Sequence, residues 1–351
     1  MQYDPRASPP PQDDTVLTLR SLRECIPAEC MRKRPLVGLA YIVLDVLVIC
    51  GSYLALVTSP QTWWHTLLYW NVSGFFMWCL FVDGHDCGHG SFSDSWTLNT
   101  VMGHLCHTPL LVPFSTWASS HRLHHLHHNH VKRDFSHVWV PVHYKDRKTW
   151  LIRALQASGL TPLLGWPLYL AGAVDGGHWV PLGGRLWKQC SRIDFLHSCV
   201  SSMLVLGFFA WLWRWCDRDV ATLMKYYGGS WFVFSFWLVT VTYLQHHDDA
   251  VQDTVVYGDA SWTFVKGALQ TVDRSYGRII DHLSHHITDG HLVHHLFFTK
   301  IPHYHLAQAT VHLYAHLEKH GIPYKRRTTH DFVWRIFRLT CRHLNEATLV
   351  K

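Results

Sequence analysis

Charge is what this chain has least of. Asp, Glu, Lys and Arg make up 16% of its 351 residues, against roughly 25% in an average soluble protein. Ten cysteines occur without one C-x-x-C pair. Several of them (Cys50, Cys79, Cys199) lie inside apolar runs, so they read as small buried hydrophobes in a reducing compartment and not as a disulfide framework. No Gly-rich dinucleotide loop and no haem motif occurs, which means that any electrons the protein uses come from outside it. There is no repeat of fixed period. The first residues are rich in Asp and Pro and lack an early apolar core, so no signal peptide is expected. The last residues carry no retrieval signal.

What is abundant points to a membrane. Hydrophobic residues make up 48% of the chain, with 18 Trp and 30 His. Low charge with many Trp and Tyr suits a protein whose aromatics sit at the lipid interface. The net charge of +6 is spread over several segments. That distribution fits a cytosolic face against anionic lipid better than it fits nucleic acid, so no nucleic-acid partner is expected.

Taken in order, residues 1–15 are expected to be disordered, and Thr18 to Arg34 to form a short amphipathic helix. Its basic end, Arg32-Lys33-Arg34, precedes the first long apolar run and marks the N-terminus as cytosolic. Leu36 to Thr58 is long enough to cross a bilayer, and its one acid, Asp45, reads as a packing residue. Trp63 to Val82 returns the chain to the cytosol. Thr97 to Phe114 contains His104, His107, Pro109 and Pro113. If it crossed, the histidines on either side would lie on opposite membrane faces, so it is expected to be re-entrant or buried. Residues 132–153 are polar and basic. Of three later apolar runs, Leu160–Val174 is short and broken by Pro162, Gly165 and Pro167, while Leu196–Trp213 and Ser230–Leu244 form a second hairpin. The predicted fold is an all-α integral membrane protein. It has four transmembrane helices in two hairpins, re-entrant or interfacial helices, and a cytosolic helical cap holding a di-metal site, with both termini cytosolic.

This topology brings three histidine clusters to one face. His85 and His89 are spaced i, i+4. His121, His124 and His125 are spaced i, i+3, i+4, as are His291, His294 and His295. Each spacing sets its imidazoles on one side of a helix turn. His246, at the cytosolic end of the fourth span, makes a ninth nitrogen. Nine are too many for one tetrahedral zinc but suit two metal ions with positions left for oxygen. Within the run from His121 to His130, the remaining His127, His128 and His130 read as solvated or as neighbours of the ligands. Asp86, Asp134 and Asp289 are candidates to hold imidazole N–H groups, and His285 a further partner. Asp289 could equally cap the helix before His291. No catalytic side chain is expected beyond the metal ligands.

His85-Asp-Cys-Gly-His89, His121-Arg-Leu-His-His125 and His291-Leu-Val-His-His295 resemble the three histidine boxes of the membrane-bound fatty acid desaturases. The likeness extends to Gly90–Asp94, Leu111–Phe114, Val241–His246, Thr271–Arg274 and Ile301–His305. It covers about residues 18–316 and is greatest to the methyl-end group, the Δ12 and ω-3 acyl-lipid desaturases. The resemblance divides the chain into a cytosolic N-terminal segment (1–34), a desaturase membrane domain (35–316) and a cytosolic tail (317–351). It implies two non-haem iron ions, O2 as co-substrate, and removal of two hydrogens from a lipid-linked acyl chain. It also implies electrons from cytochrome b5 and its NADH-dependent reductase, and an endoplasmic reticulum membrane location. Homo- or hetero-oligomer formation is left open. Breaking an alkyl C–H bond is beyond any side-chain acid or base, so a redox metal must carry it.

Regiochemistry reads both ways. His85-Asp-Cys-Gly-His-Gly90 and the doubled His285-His286 look like the ω-3 group, whereas Gln245 before His246, and Ile287-Thr-Asp289, look like the Δ12 group. A Δ12 oleoyl desaturase is the expectation. The alternatives are an ω-3 or bifunctional desaturase, a divergent hydroxylase or acetylenase, and, from another class, a metal transporter. A transporter would need ionisable residues along the middle of its spans, and only Asp45 lies there.

Overall fold

Proline and glycine set the helix ends that matter most. In the computed structural model, which describes residues 18–60, 62–137, 139–173, 177–181, 184–188 and 190–351, α1 is Leu19–Glu24 and α2 is Pro35–Thr58. Pro35 opens α2 where its missing N–H would be unpaired anyway. The expected helix from Thr18 to Arg34 is broken. α1 ends at Cys25, and a separate 3-10 turn covers Ala28–Met31 because Pro27 removes a backbone donor between them. The stretch expected to be disordered, 1–15, lies outside the described residues.

The elements continue as α3 Trp63–His89, α4 Trp96–His107, α5 Phe114–His127, β1 Val140–Pro141, α6 Trp150–Ser158, α7 Thr161–Leu168 and α8 Gly184–Lys188. After them come α9 Arg192–Trp215, α10 Val220–Leu223, α11 Gly229–His246, β2 Val255–Tyr257, α12 Phe264–Ala268, β3 Val272–Ser275 and α13 Arg278–Leu283. The last are α14 His291–Phe297, α15 Leu306–Lys319, β4 Lys325–Thr328, α16 Phe332–His343 and β5 Glu346–Val350. The chain folds as two compact units, each discontinuous in sequence.

The unit made of Arg34–Arg122 and Leu160–Val239 is helical. α2 packs on α3, and α3 on α4. Small residues allow the close approaches: a Cβ at Gly74 would sit 2.5 Å from Ser230 O, and one at Gly229 would sit 2.1 Å from the Trp70 ring. Aromatic side chains fasten the loops, with Tyr69 Oη donating to Tyr226 O at 2.6 Å and Trp231 Nε1 to Leu110 O at 2.7 Å. Among the described residues two helices, α2 and α9, are long and apolar enough to cross a membrane, with mean hydropathy 2.2 and 1.7. α4, with 12 residues, rises about 18 Å, short of the roughly 30 Å hydrocarbon core.

The other unit comprises the N-terminal segment, Leu123–Gly159 and Thr240–Lys351. The all-helical cap expected here is not what forms. β5 lies between β1 and β2 in a parallel sheet, and β3 pairs in parallel with β4. Arg274 on β3, fully buried, donates to Leu244 O (2.6 Å), His247 O (3.0 Å) and Thr329 Oγ1 (3.0 Å). It ties β3 to the end of α11. Its charge is met by Asp249 at 3.0 Å, the pairing a buried guanidinium requires.

Candidate metal centre

Six of the expected ligands meet in the strand-containing unit. α5 carries His124 and His125, α11 ends on His246, and one turn of α14 carries His291, His294 and His295. His124 Nε2 and His291 Nε2 each lie 3.2 Å from His246 Nε2, and His294 Nε2 lies 3.2 Å from His125 Nε2. His295 stacks on His125 with ring centroids 4.1 Å apart. Ring nitrogens of His124, His246 and His295 fall within 4.8 Å of one another, a spacing that could hold a metal ion.

The protonation pattern favours a cation. Asp134, buried, accepts from His124 Nδ1 at 2.7 Å, from Trp139 Nε1 at 3.1 Å, and from the backbone N–H groups of Asn129 and Ser136. A carboxylate only accepts, so the His124 proton is on Nδ1 and its Nε2 lone pair faces His246. Burial alone would raise the Asp134 carboxyl, but the His124 imidazole hydrogen-bonded to it, with His137 and the Trp139 N–H beside it, brings it well below the usual range. Burial, and then neighbouring imidazoles, push His295 well below its ordinary value, so it is neutral. Both of its ring nitrogens, and Nδ1 of His246, are buried without a hydrogen-bond partner among the described residues. Orphaned neutral imidazole nitrogens facing other nitrogens are the donor set that a transition metal satisfies. The residues present therefore fit the iron that the histidine boxes imply.

A carboxylate from another strand sets where α14 starts. Asp273 on β3 accepts from Leu292 N at 2.8 Å, and the Tyr314 hydroxyl donates to its second oxygen. Burial raises the Asp273 carboxyl to about 7. The residue preceding α14 is Gly290, which makes no side-chain cap. Asp289 instead accepts from His286 Nδ1 at 3.1 Å, and His285 lies against His303 with ring centroids 4.8 Å apart.

The helical unit carries the other three. His85 and His89 occupy the last turns of α3, which runs past Val82 to His89 before Gly90 ends it in the left-handed region at φ 70°. His85 Nε2 and His89 Nε2 are 3.2 Å apart, and His121 on α5 lies 4.9 and 5.0 Å from their rings by centroid. Trp117, one turn earlier on α5, stacks on His121 at 4.6 Å. Asp86 Oδ1 is 3.8 Å from His85 Nδ1, beyond hydrogen-bond reach.

Some participants escape a reading based on spacing. His137 lies 4.7 Å from His246 by ring centroid and groups with His124 and Asp134. It sits alone in sequence, with no i, i+4 partner to mark it. His128 and His130 are fully buried, not solvated, so of the two positions open to them from the sequence they take the one beside the ligands. His128 Nδ1 faces His125 O at 2.5 Å and its Nε2 faces Phe264 O at 3.0 Å. A His-rich run conceals which members face inward until the fold around it is known.

Comparison with known proteins gives one consistent family. The model of the fatty acid desaturase family matches residues 61–328. A Δ12 fatty acid desaturase of Caenorhabditis elegans is 37% identical over 84% of this chain and 77% of its own length. An sn-1 acyl-lipid ω-3 desaturase (ferredoxin) of Synechocystis is 38% identical over 86% and 81%. An acyl-lipid ω-3 desaturase (cytochrome b5) of the endoplasmic reticulum of Arabidopsis thaliana is 35% identical over 88% and 77%.

Proposed function

Because the chain belongs to the fatty acid desaturase family, and is therefore an oxidoreductase enzyme, we propose that it places a cis double bond at the Δ12 position of a lipid-linked oleoyl chain. The observation that carries a metal-dependent oxidation is the convergence of ring nitrogens of His124, His246 and His295 within 4.8 Å, with both nitrogens of His295 and Nδ1 of His246 buried without a hydrogen-bond partner among the described residues. The proposed ligands of two iron ions are His85, His89, His121, His124, His125, His246, His291, His294 and His295. Iron held there supplies activation of O2 and removal of hydrogen from an unactivated C–H bond. The chain's own residues orient and insulate. Asp134 fixes the tautomer and ring plane of His124, Trp117 covers one face of His121, and Asp273 holds the first turn of α14. In this reading α3 and α11 cross the membrane with α2 and α9, and the enzyme sits in the endoplasmic reticulum.

The donor is cytochrome b5, supported by the wording of the Arabidopsis relative's name; the Synechocystis relative's name gives ferredoxin instead. An ω-3 activity is the second reading, favoured by the ω-3 names among the relatives. Expression in yeast, which makes oleate, distinguishes these. Linoleate is the expected product. New α-linolenate only when linoleate is supplied would replace Δ12 with ω-3, and unchanged fatty acids with both substrates would sink the desaturase reading. Purified protein should contain about two iron ions per chain, as two sites served by nine imidazoles require, and a chelator should abolish the activity. Adding cytochrome b5 with its reductase should restore turnover in the purified enzyme where ferredoxin does not.

A further inference from the structure

The helix α16 has no place in the chemistry above, and its outward face is unlike an ordinary solvated surface. α16 packs on α6, with Ile336 and Leu339 buried and Gln156 Nε2 of α6 donating to Arg342 O at 2.8 Å. The other side of the pair is left bare. Trp334 is 67% exposed and Val333 49%, and Trp150 at the start of α6 is 80% exposed. Scattered exposed apolar side chains are ordinary; two bare tryptophans on one pair of packed helices are not.

Charge completes the pattern. Arg335 is paired with Asp331 at 3.0 Å and Asp249 at 2.7 Å. Arg338 and Arg342 have no acidic partner among the described residues. Trp334, Arg338, Cys341 and Arg342 recur at helical spacing and so share one stripe of α16, and Cys341 and Arg342 are exposed. The depth of this stripe is tied to α11. Tyr243, one turn before the end of α11, donates its hydroxyl to His343 O at 3.3 Å and accepts from Asn345 N at 3.2 Å. The end of α16 is therefore fastened at the level where α11 ends.

We propose that the outward face of α6 and α16 lies in the lipid headgroup layer and engages anionic phospholipid. Tryptophan settles where its ring meets hydrocarbon and its N–H meets water. Guanidinium groups on the same stripe meet lipid phosphates, and amphipathic basic helices bind anionic surfaces in this way. The tail helix is then a surface float, held parallel to the membrane, that fixes the depth of the unit it belongs to. The inference rests on the reading that α11 crosses the membrane.

The test uses the full chain in nanodiscs, with a nitroxide at native Cys341 or at native Cys50. Cys50 is exposed on α2, and the other accessible cysteines are replaced by Ser. Relaxation by oxygen, which partitions into lipid, is compared with relaxation by a water-soluble nickel chelate. Cys50 should report hydrocarbon and Cys341 the headgroup layer. Replacing some phosphatidylcholine with phosphatidylserine should move the Cys341 label deeper. Arg338→Gln with Arg342→Gln should remove that shift while leaving iron content and turnover as they were. A Cys341 label as open to nickel as a free surface, with Cys50 in lipid, would overturn the proposal and leave the face to water or a protein partner. A Cys50 label in water would overturn the membrane-crossing reading, and this inference with it.

Discussion

At the scale of single residues, the histidines are less individual than the carboxylates that hold them. Asp134 gathers His124, Trp139 and three backbone donors around one buried carboxylate. Asp134→Asn keeps the shape but turns a donor toward donors. Iron occupancy and turnover should fall about 10- to 100-fold, as when a ligand's own hydrogen-bond partner is lost, which iron analysis and product formation would show. Tyr314→Phe should act more gently on iron occupancy and turnover, removing the one side-chain hydrogen bond on Asp273 and leaving those from the α14 backbone. His128 gives a pH signature. It is fully buried, and burial, then the nearby His124, lower it to about 4 against the two carbonyls that favour its charged form. The unfolded chain takes up this proton near pH 6.5 and the folded one only near 4, so stability falls as pH drops through that window, by up to about 1.4 kcal/mol per pH unit. Above about pH 6.5 this group contributes no slope. His128→Asn should flatten the fall of the melting midpoint between those limits. Asp134 was legible as a candidate because it follows the densest histidine run. Asp273 was not, since nothing in Thr271-Val-Asp-Arg274 announces that a strand will reach the start of a helix about twenty residues later.

At the scale of elements, the histidine spacing was a sound guide because an α-helix turns i, i+3 and i+4 to one side whatever surrounds it. α3, α5 and α14 all obey this. The short strands were illegible for the opposite reason. Val140-Pro141 and Val255–Tyr257 carry too few residues to show alternation, and a strand of that length exists only because β5 lies beside it. Glycines in two helices offer a matched test of packing. A Cβ at Gly84 would sit 2.3 Å from His107 Cδ2 and 2.9 Å from Cys106 Cβ on α4. The His107 ring cannot swing aside without losing its contact with Phe81 O at 3.2 Å. Gly84→Ala should cost about 1–3 kcal/mol through overpacking and should lower activity by shifting the neighbouring His85. At Gly51 on α2 nothing lies within 4 Å of the added atom. Gly51→Ala should leave activity unchanged and raise the melting midpoint slightly, the usual effect of restricting an unstrained helical glycine. If both variants behave alike, the close fit of α3 on α4 is not what limits this enzyme.

At the scale of the whole molecule, the long apolar runs marked α2 and α9 as helices able to cross a membrane, because a spanning segment needs about twenty apolar residues in a row. They could not reveal that the chain interleaves two units. That arrangement depends on pairings between residues far apart, such as Val140 with Glu346 and Val272 with Lys325. The same pairings bear on how the protein is made. β5 is the middle strand of its sheet, and it leaves the ribosome roughly 200 residues after β1, about ten to forty seconds later at ordinary rates of synthesis. Until then β1 and β2 wait with their edges open beside the segments that carry His124 and His246. Quality control therefore meets this enzyme with its oxidising centre unfinished. A fault in β5, such as Ala347→Asp at a fully buried position, should appear in cells as missing protein and not as slow enzyme. Comparing immunoblot signal with turnover per iron would show this: abundance should fall several-fold while the surviving molecules work normally.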